Sequence, residues 1–169
     1  DSLLSSQKKT VEQIAATIQK RDVQYVFLAA RGTSDNAGRY ANYLLGALNG
    51  LPLALATPSL FTYYKQPPKL KNALVIGISQ SGQSPDIVSV LEEGKKQNCL
   101  TLAITNEAKS PLAEAADFLL DIQAGKEEAV AATKTYTTEL MSIAMLSTAL
   151  NGNKTRWAEL AEVPGWMKA

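Results

Sequence analysis

Histidine is absent from this 169-residue sequence, and cysteine occurs once. Without imidazole the chain has no His-based general acid or base, no His-containing triad and no His metal ligand. With Cys99 as the single thiol, an internal disulfide is excluded and a zinc site lacks ligands, so no metal and no cofactor are expected. Cys99 just precedes a predicted strand, where a buried, inert thiol is the expectation; a lone thiol also fits a cytoplasmic setting. An excess of either charge is lacking too. Lys and Arg number 17 against 16 acids, a net charge of +1, which gives no electrostatic footprint for nucleic acid or for an anionic membrane. The most apolar stretch, Leu140–Leu150, carries Ser and Thr and falls short of the ~20 residues a membrane span needs. The first residues show no basic segment leading into an apolar run, so secretion is not expected. Neither GxGxxG nor GxxxxGK occurs, which ranks nucleotide and dinucleotide binding low.

What is present is an alternation of elements. Residues 2–20 read as an amphipathic helix, with Leu4, Val11, Ile14, Ala15 and Ile18 at helical spacing. Tyr25–Ala30 reads as a first buried strand, and a helical run follows it and stops at Asn49-Gly50. Pro52–Ala56 is a short second strand. Gln66-Pro67-Pro68 marks a loop before the third strand, Ala73–Ile78, whose helix runs to about Gln97. Leu100–Thr105 is the fourth strand, Ser110-Pro111 starts a short helix, and Asp117–Ile122 is the fifth strand. A long helix is predicted from about Ala129 to Leu150. Residues 151–169 form a tail or interdomain linker with one weak helical pattern around Trp157. Strands alternating with helices predict an α/β fold: a three-layer, doubly wound, five-stranded parallel sheet in the flavodoxin-like order 2-1-3-4-5, spanning residues 1–150.

That order makes strands 1 and 3 neighbours whose connections leave the sheet in opposite directions, and ligands bind in the crevice so opened. Both turns that land there are rich in hydroxyls. Arg31-Gly32-Thr33-Ser34 follows strand 1. Ser79-Gln80-Ser81-Gly82-Gln83-Ser84 follows strand 3 and runs directly into Pro85 and Asp86, the first turn of a helix. Backbone N–H groups, a helix's positive end and several hydroxyls make an anion cradle. The competing reading is that each Ser or Thr caps its own helix. Gln80 could hydrogen-bond a sugar hydroxyl or brace the turn. Arg31 and Arg39 could add charge, although surface roles are the simpler reading. Glu127 and Glu128, placed by this reading at the start of the last helix, are explained by its dipole without a catalytic role.

Three segments, RGTSDNAGRY (31–40), ISQSGQSPD (78–86) and EAVAATKTYT (128–137), in this order and spacing, resemble the sugar isomerase (SIS) domain. More closely they resemble the first of two SIS domains in the isomerase half of glucosamine-6-phosphate synthase and its deaminase-like and deglycase-like relatives. The resemblance covers roughly Val11 to Leu150 and implies a phosphosugar ligand. By it, Ser34, Ser79, Ser81 and Ser84 match phosphate-binding positions. Thr33 and Gln80 match residues lining the sugar, and Val130, Ala131 and Ala132 match the segment contacting its hydroxyls. Ala132 stands where the synthase usually has serine, and Gln83 where glutamate is common, so one sugar contact is lost. The family's acid/base glutamate, ring-opening histidine and C-terminal lysine belong to the second SIS domain or to the partner subunit, and no residue here matches them. The catalytic residues are therefore unassigned.

The resemblance implies the first half of a ketose- or amino-sugar-phosphate isomerase, deaminase or synthase acting on a hexose 6-phosphate. The partner expected is a second SIS domain or a second copy of the chain. The alternative is a single-domain module that senses a phosphosugar or pairs without chemistry, and a free-standing isomerase using Glu127 or Glu128 is a third.

Overall fold

The computed structural model describes residues 2–128 and 132–167. Five strands, β1 (Tyr25–Ala29), β2 (Leu53–Leu55), β3 (Ala73–Ile78), β4 (Leu100–Thr105) and β5 (Phe118–Asp121), form one sheet. Its order is β2-β1-β3-β4-β5 and every pairing is parallel, as expected. The helices are α1 (Ser2–Lys20), α2 (Thr33–Asn49), α3 (Ser59–Thr62), α4 (Pro85–Lys96), α5 (Pro111–Ala115), α6 (Lys134–Asn151) and α7 (Lys154–Trp166).

Alternation along the strands builds two cores. Val26 and Leu28 of β1, Leu74, Ile76 and Ile78 of β3, and Leu100, Leu102 and Ile104 of β4 face one side. There they meet Val11, Ile14 and Ile18 of α1, Ala37, Ala41 and Leu45 of α2, and Ile143, Met145 and Leu146 of α6. Phe27, Ala29, Val75 and Ala103 face the other side, against Phe61 of α3, Ile87, Val90 and Leu91 of α4, and Leu112 of α5. Covered on both faces, β3 and β4 are buried at every residue, whereas the outer strands β2 and β5 are shorter and partly exposed. This is why the central strands read as unbroken apolar runs in the sequence. Cys99 is buried and its thiol donates to the Leu70 carbonyl at 2.8 Å. Burial pushes its pKa up, which disfavours the reactive thiolate.

Two expectations need correcting. The last helix begins at Lys134 rather than near Ala129: Ala132 and Thr133 are not helical, and residues 129–131 lie outside the described residues. Glu127 and Glu128 therefore precede the helix instead of forming its first turn. Glu127 still serves it, because its carboxylate accepts from the N–H of Thr133 at 3.0 Å, the N–H of Thr135 at 3.2 Å and the Thr135 hydroxyl at 3.3 Å. An acid reaching the helix's positive end from outside satisfies the same orphan donors that a first-turn acid would. The tail, secondly, is more regular than its weak pattern: α7 runs through Pro164 and packs on α6.

Candidate functional site

The crevice between the ends of β1 and β3 is a cleft of about 200 Å³ lined by Arg31, Thr33, Ser34, Ile78, Ser79, Gln80, Ser81, Ser84, Ile87 and Ala132. Seven of the residues singled out in the sequence thus come together: Thr33, Ser34, Ser79, Gln80, Ser81, Ser84 and Ala132. Val130 and Ala131 lie outside the described residues.

Backbone geometry sets the cradle's shape. Gly82 sits at φ 61°, a left-handed conformation, and a Cβ there would overlap the Ser110 side chain. Its N–H donates to Ser79 and its carbonyl accepts from Leu112 N–H at 3.1 Å, so the turn is docked on the start of α5. Only glycine combines that φ with that approach. Ser110 in turn caps α5, accepting from Ala113 N–H at 3.3 Å.

The hydroxyls are not spent on capping in the way the simplest reading requires. Ser84 holds the N-cap position of α4 but makes no side-chain cap bond. Ser79 Oγ accepts from Gly82 N–H at 3.2 Å, and Ser81 Oγ accepts from Gln83 N–H at 3.3 Å. A hydroxyl that accepts from the backbone keeps its own hydrogen to donate. The turn therefore fixes the positions of Ser79 and Ser81 while leaving O–H donors for an anion. Arg31, read from the sequence as a surface residue, also lines the cleft. Its guanidinium pairs with Asp86 of α4 at 2.8 Å, linking the turn after β1 to the helix after β3. Arg39 pairs with Asp35 within α2.

Gln80 joins this cleft to a second one. Its backbone carbonyl accepts from Asn106 N–H at 3.0 Å and from Thr105 Oγ1 at 3.2 Å, which anchors the residue to the end of β4. The adjoining cleft, of about 590 Å³, is lined by Gln80, Asn106, Glu107, Asp121, Gln123, Gly125, Lys126 and Glu127. Asn106 shapes it by donating to the Gly125 carbonyl at 2.7 Å and accepting from Ala124 N–H at 2.8 Å. No group of three or more potential metal ligands occurs among the described residues.

Sequence reasoning missed Glu139. It lies on the buried face of α6 with Thr135, Ser142 and Ile143, is 1% exposed, and takes the Ser34 hydroxyl at 2.8 Å on Oε1. Its Oε2 is buried without a hydrogen-bond partner among the described residues. Burial pushes its pKa up to about 7 against the opposing effect of the Ser34 hydrogen bond. The signal was available: four residues after Thr135 and four before Ile143, an acid falls on a face otherwise apolar or hydroxyl-bearing.

A doubly wound sheet whose two switch-point turns form one hydroxyl-lined cleft defines the class of a small-ligand-binding α/β domain. The SIS domain family model matches residues 21–149, and the chain belongs to that family. It is 33% identical over 153 residues to glutamine–fructose-6-phosphate aminotransferase (isomerizing) of Clostridium acetobutylicum, an alignment covering 90% of this chain and 25% of that protein. A candidate phosphosugar isomerase from Silicibacter pomeroyi superposes with a TM-score of 0.93 at 37% identity, over 97% of this chain and 50% of that one. The C-terminal domain of the Francisella tularensis glucosamine-fructose-6-phosphate aminotransferase shares the fold, with a TM-score of 0.78 at 24% identity over 96% of this chain and 51% of that one. The chain thus spans a quarter of this curated relative and about half of these solved chains. Among the described residues, no helix is long and apolar enough to cross a membrane.

Proposed function

We propose that this chain binds a hexose 6-phosphate. Ser34, Ser79, Ser81 and Ser84 hold the phosphate, and Thr33, Gln80 and the segment Val130–Ala132 line the sugar. The observation that carries the reading is the state of the turn after β3, where hydroxyls positioned by backbone N–H groups retain their own donors at the switch point. Size agrees with it. A cleft of about 200 Å³ is below the ~300–1,000 Å³ of pockets that enclose a whole ligand, so the sugar extends past Gln80 toward the adjoining polar cleft. Neutral donors and a single guanidinium suit a small phosphate monoester better than a polyphosphate.

The names of the relatives support placing the chain as the phosphate-anchoring half of a larger isomerase, aminotransferase or deaminase. In that setting it holds C1 and C2 of the sugar in register for acid/base groups supplied from outside this chain. A sensing module without chemistry is the second reading. It is favoured by one feature: among the described residues lining the smaller cleft none is a carboxylate, thiol or phenol, and Glu107, Asp121 and Glu127 line only the adjoining one.

Calorimetric titration with fructose 6-phosphate, glucosamine 6-phosphate and glucose 6-phosphate, with the free sugars as controls, tests the common part. Binding that requires the phosphate and weakens in Ser81→Ala is expected. Equal binding of phosphorylated and free sugars, or none in folded protein, overturns the reading.

A further inference from the structure

Among the described residues lining the cleft, Ser34 is the one hydroxyl whose hydrogen is already committed. It donates to Glu139 Oε1 at 2.8 Å, so with the carboxylate ionised it meets a bound phosphate with lone pairs rather than with a donor. The same contact can be made in the other sense. A proton on Glu139 Oε1 donates to Ser34 Oγ at the same distance and releases the Ser34 hydrogen toward the cleft. Resting on the phosphate-binding reading of this cleft, we propose that Glu139 is a positioning residue whose protonation turns Ser34 into a phosphate donor, so that binding a phosphate ester takes up a proton.

The surroundings of Glu139 fit this role. Ionised, it would leave Oε2 as a charged oxygen buried without a partner, the costliest state for such a group. Protonated, it pairs through Oε1 and leaves only a neutral oxygen uncompensated. With its pKa raised to about 7 by burial, little free energy separates the two states near neutrality.

The other titratable groups around it are occupied or turned away. On α2, Asp35 and Arg39 pair with each other, Tyr43 is exposed, and burial raises the Tyr40 phenol, which stays neutral. On α1, Lys8, Lys9, Glu12 and Lys20 are exposed. The strands β3 and β4 carry no titratable side chain. On α7, Arg156 and Glu159 line a groove shared with the later turns of α6. Glu127 is engaged by the first turn of α6, where the Lys134 ammonium donates to the Lys126 carbonyl. Among the described residues, burial and the Ser34 hydrogen bond are what act on the Glu139 carboxyl.

The test is titration of this chain with glucose 6-phosphate, or whichever hexose phosphate binds, from about pH 7 to about pH 8.5. There the phosphate, with a second pKa near 6, is a dianion throughout. Affinity scales with the protonated fraction of Glu139, so wild type is expected to bind about tenfold or more weakly at the upper end. Calorimetry in buffers of differing ionisation enthalpy is expected to read net proton uptake. In Glu139→Gln, whose amide cannot titrate, both effects should disappear. Ser34→Ala, which keeps the acid but removes the group it acts through, should bind more weakly with a flat pH profile; with wild type, it decides the matter even if Glu139→Gln fails to fold. Binding in wild type that is flat with pH, or a slope that survives in Ser34→Ala, overturns the coupling and leaves the phosphate site standing. No binding at any pH overturns both.

Discussion

The helix pair α2 and α6 borders two concavities of opposite character. Toward their N-termini, Thr33 and Ser34, together with the turn after β3, line the hydroxyl-rich cleft, with Glu139 buried behind Ser34. Toward their C-termini, Tyr40, Leu44, Leu48, Ala144, Leu160, Val163 and Trp166 wall a groove of about 550 Å³ against α7. The groove is larger than this cleft and has the more apolar walls, with Ser147, Thr148, Arg156 and Glu159 as its polar lining residues. The cleft is less than half its size, but positioned hydroxyls, a guanidinium and a strand-to-helix turn converge there. Each region holds one of the two buried side-chain atoms found without a partner among the described residues, Glu139 Oε2 by the cleft and Arg156 Nη1 by the groove. The difference between them is chemical. The orphan at the cleft belongs to a carboxyl whose pKa is raised to about 7, and its neighbour is the Ser34 hydroxyl that lines the cleft. Size does not separate the two ends, because the polar cleft adjoining Gln80, at about 590 Å³, is at least as large as the groove; positioned hydroxyls and a titratable neighbour are what distinguish the cleft.

The sharpest way to break the cleft while sparing the groove is Gly82→Val. A β-branched residue at φ 61° bears the left-handed penalty of about 1–2 kcal/mol, and its Cβ must displace the Ser110 side chain, at about 1–3 kcal/mol more. A loss of about 2–5 kcal/mol in urea unfolding is expected, with hexose-phosphate binding abolished. A variant that unfolds like wild type would show that the turn has slack the structure does not display.

Glu139→Gln sharpens the electrostatic side of the comparison. An acid whose folded pKa lies above its unfolded value binds more protons when folded, so its ionisation opposes folding. Here the interval runs from the ordinary 4.5 up to about 7: the penalty is nearly absent below it and fully present above it. Relative to wild type, Glu139→Gln should therefore gain about 2–3 kcal/mol in stability between pH 5 and pH 8. Any fixed cost of burying the amide cancels from that difference. A constant offset across this range would mean that Glu139 is ionised in both states.

Ser81→Ala removes a donor whose oxygen otherwise only accepts from Gln83 N–H at 3.3 Å on an exposed turn. A hydrogen bond to a charged partner contributes about 1.5–3 kcal/mol, so hexose-phosphate affinity should fall about tenfold or more. The thermal midpoint should barely move. Were Ser81 only bracing its own turn, the order would reverse, with stability affected and affinity preserved.

Much of this molecule was legible in the sequence because its informative segments are local. β3 and β4 match their predicted limits, since a strand buried on both faces shows as an apolar run and the flanking Asn72 and Ser79 punctuate it. The turns converge because strand order follows from the alternation of elements, and the order fixes the switch point. What escaped was relational. That Ser34 is bonded to a residue 105 positions away cannot be read from either segment alone. The start of α6 was misplaced because Ala129–Ala132 has high helix propensity, whereas the observed start at Lys134 is fixed by the Glu127 carboxylate capping from outside. Arg31 looked like an ordinary surface charge because its pairing with Asp86 is visible only once β1 and β3 are neighbours.

The smallest expected effect tests the groove. Trp166 lines it yet is 65% exposed near the end of α7, a helix with no buried residue of its own. Truncating it to alanine removes apolar surface that is mostly already in water, so the loss should stay within about 0.5 kcal/mol. Hexose-phosphate affinity should stay within about twofold, because no cleft residue belongs to α7. Parallel titrations of Trp166→Ala and Ser81→Ala place the two concavities on one scale. If the tryptophan variant lost as much affinity as the serine variant, the two ends of the α2–α6 pair would be energetically coupled. The cleft would then depend on how α7 seats α6, through the helix that carries Glu139.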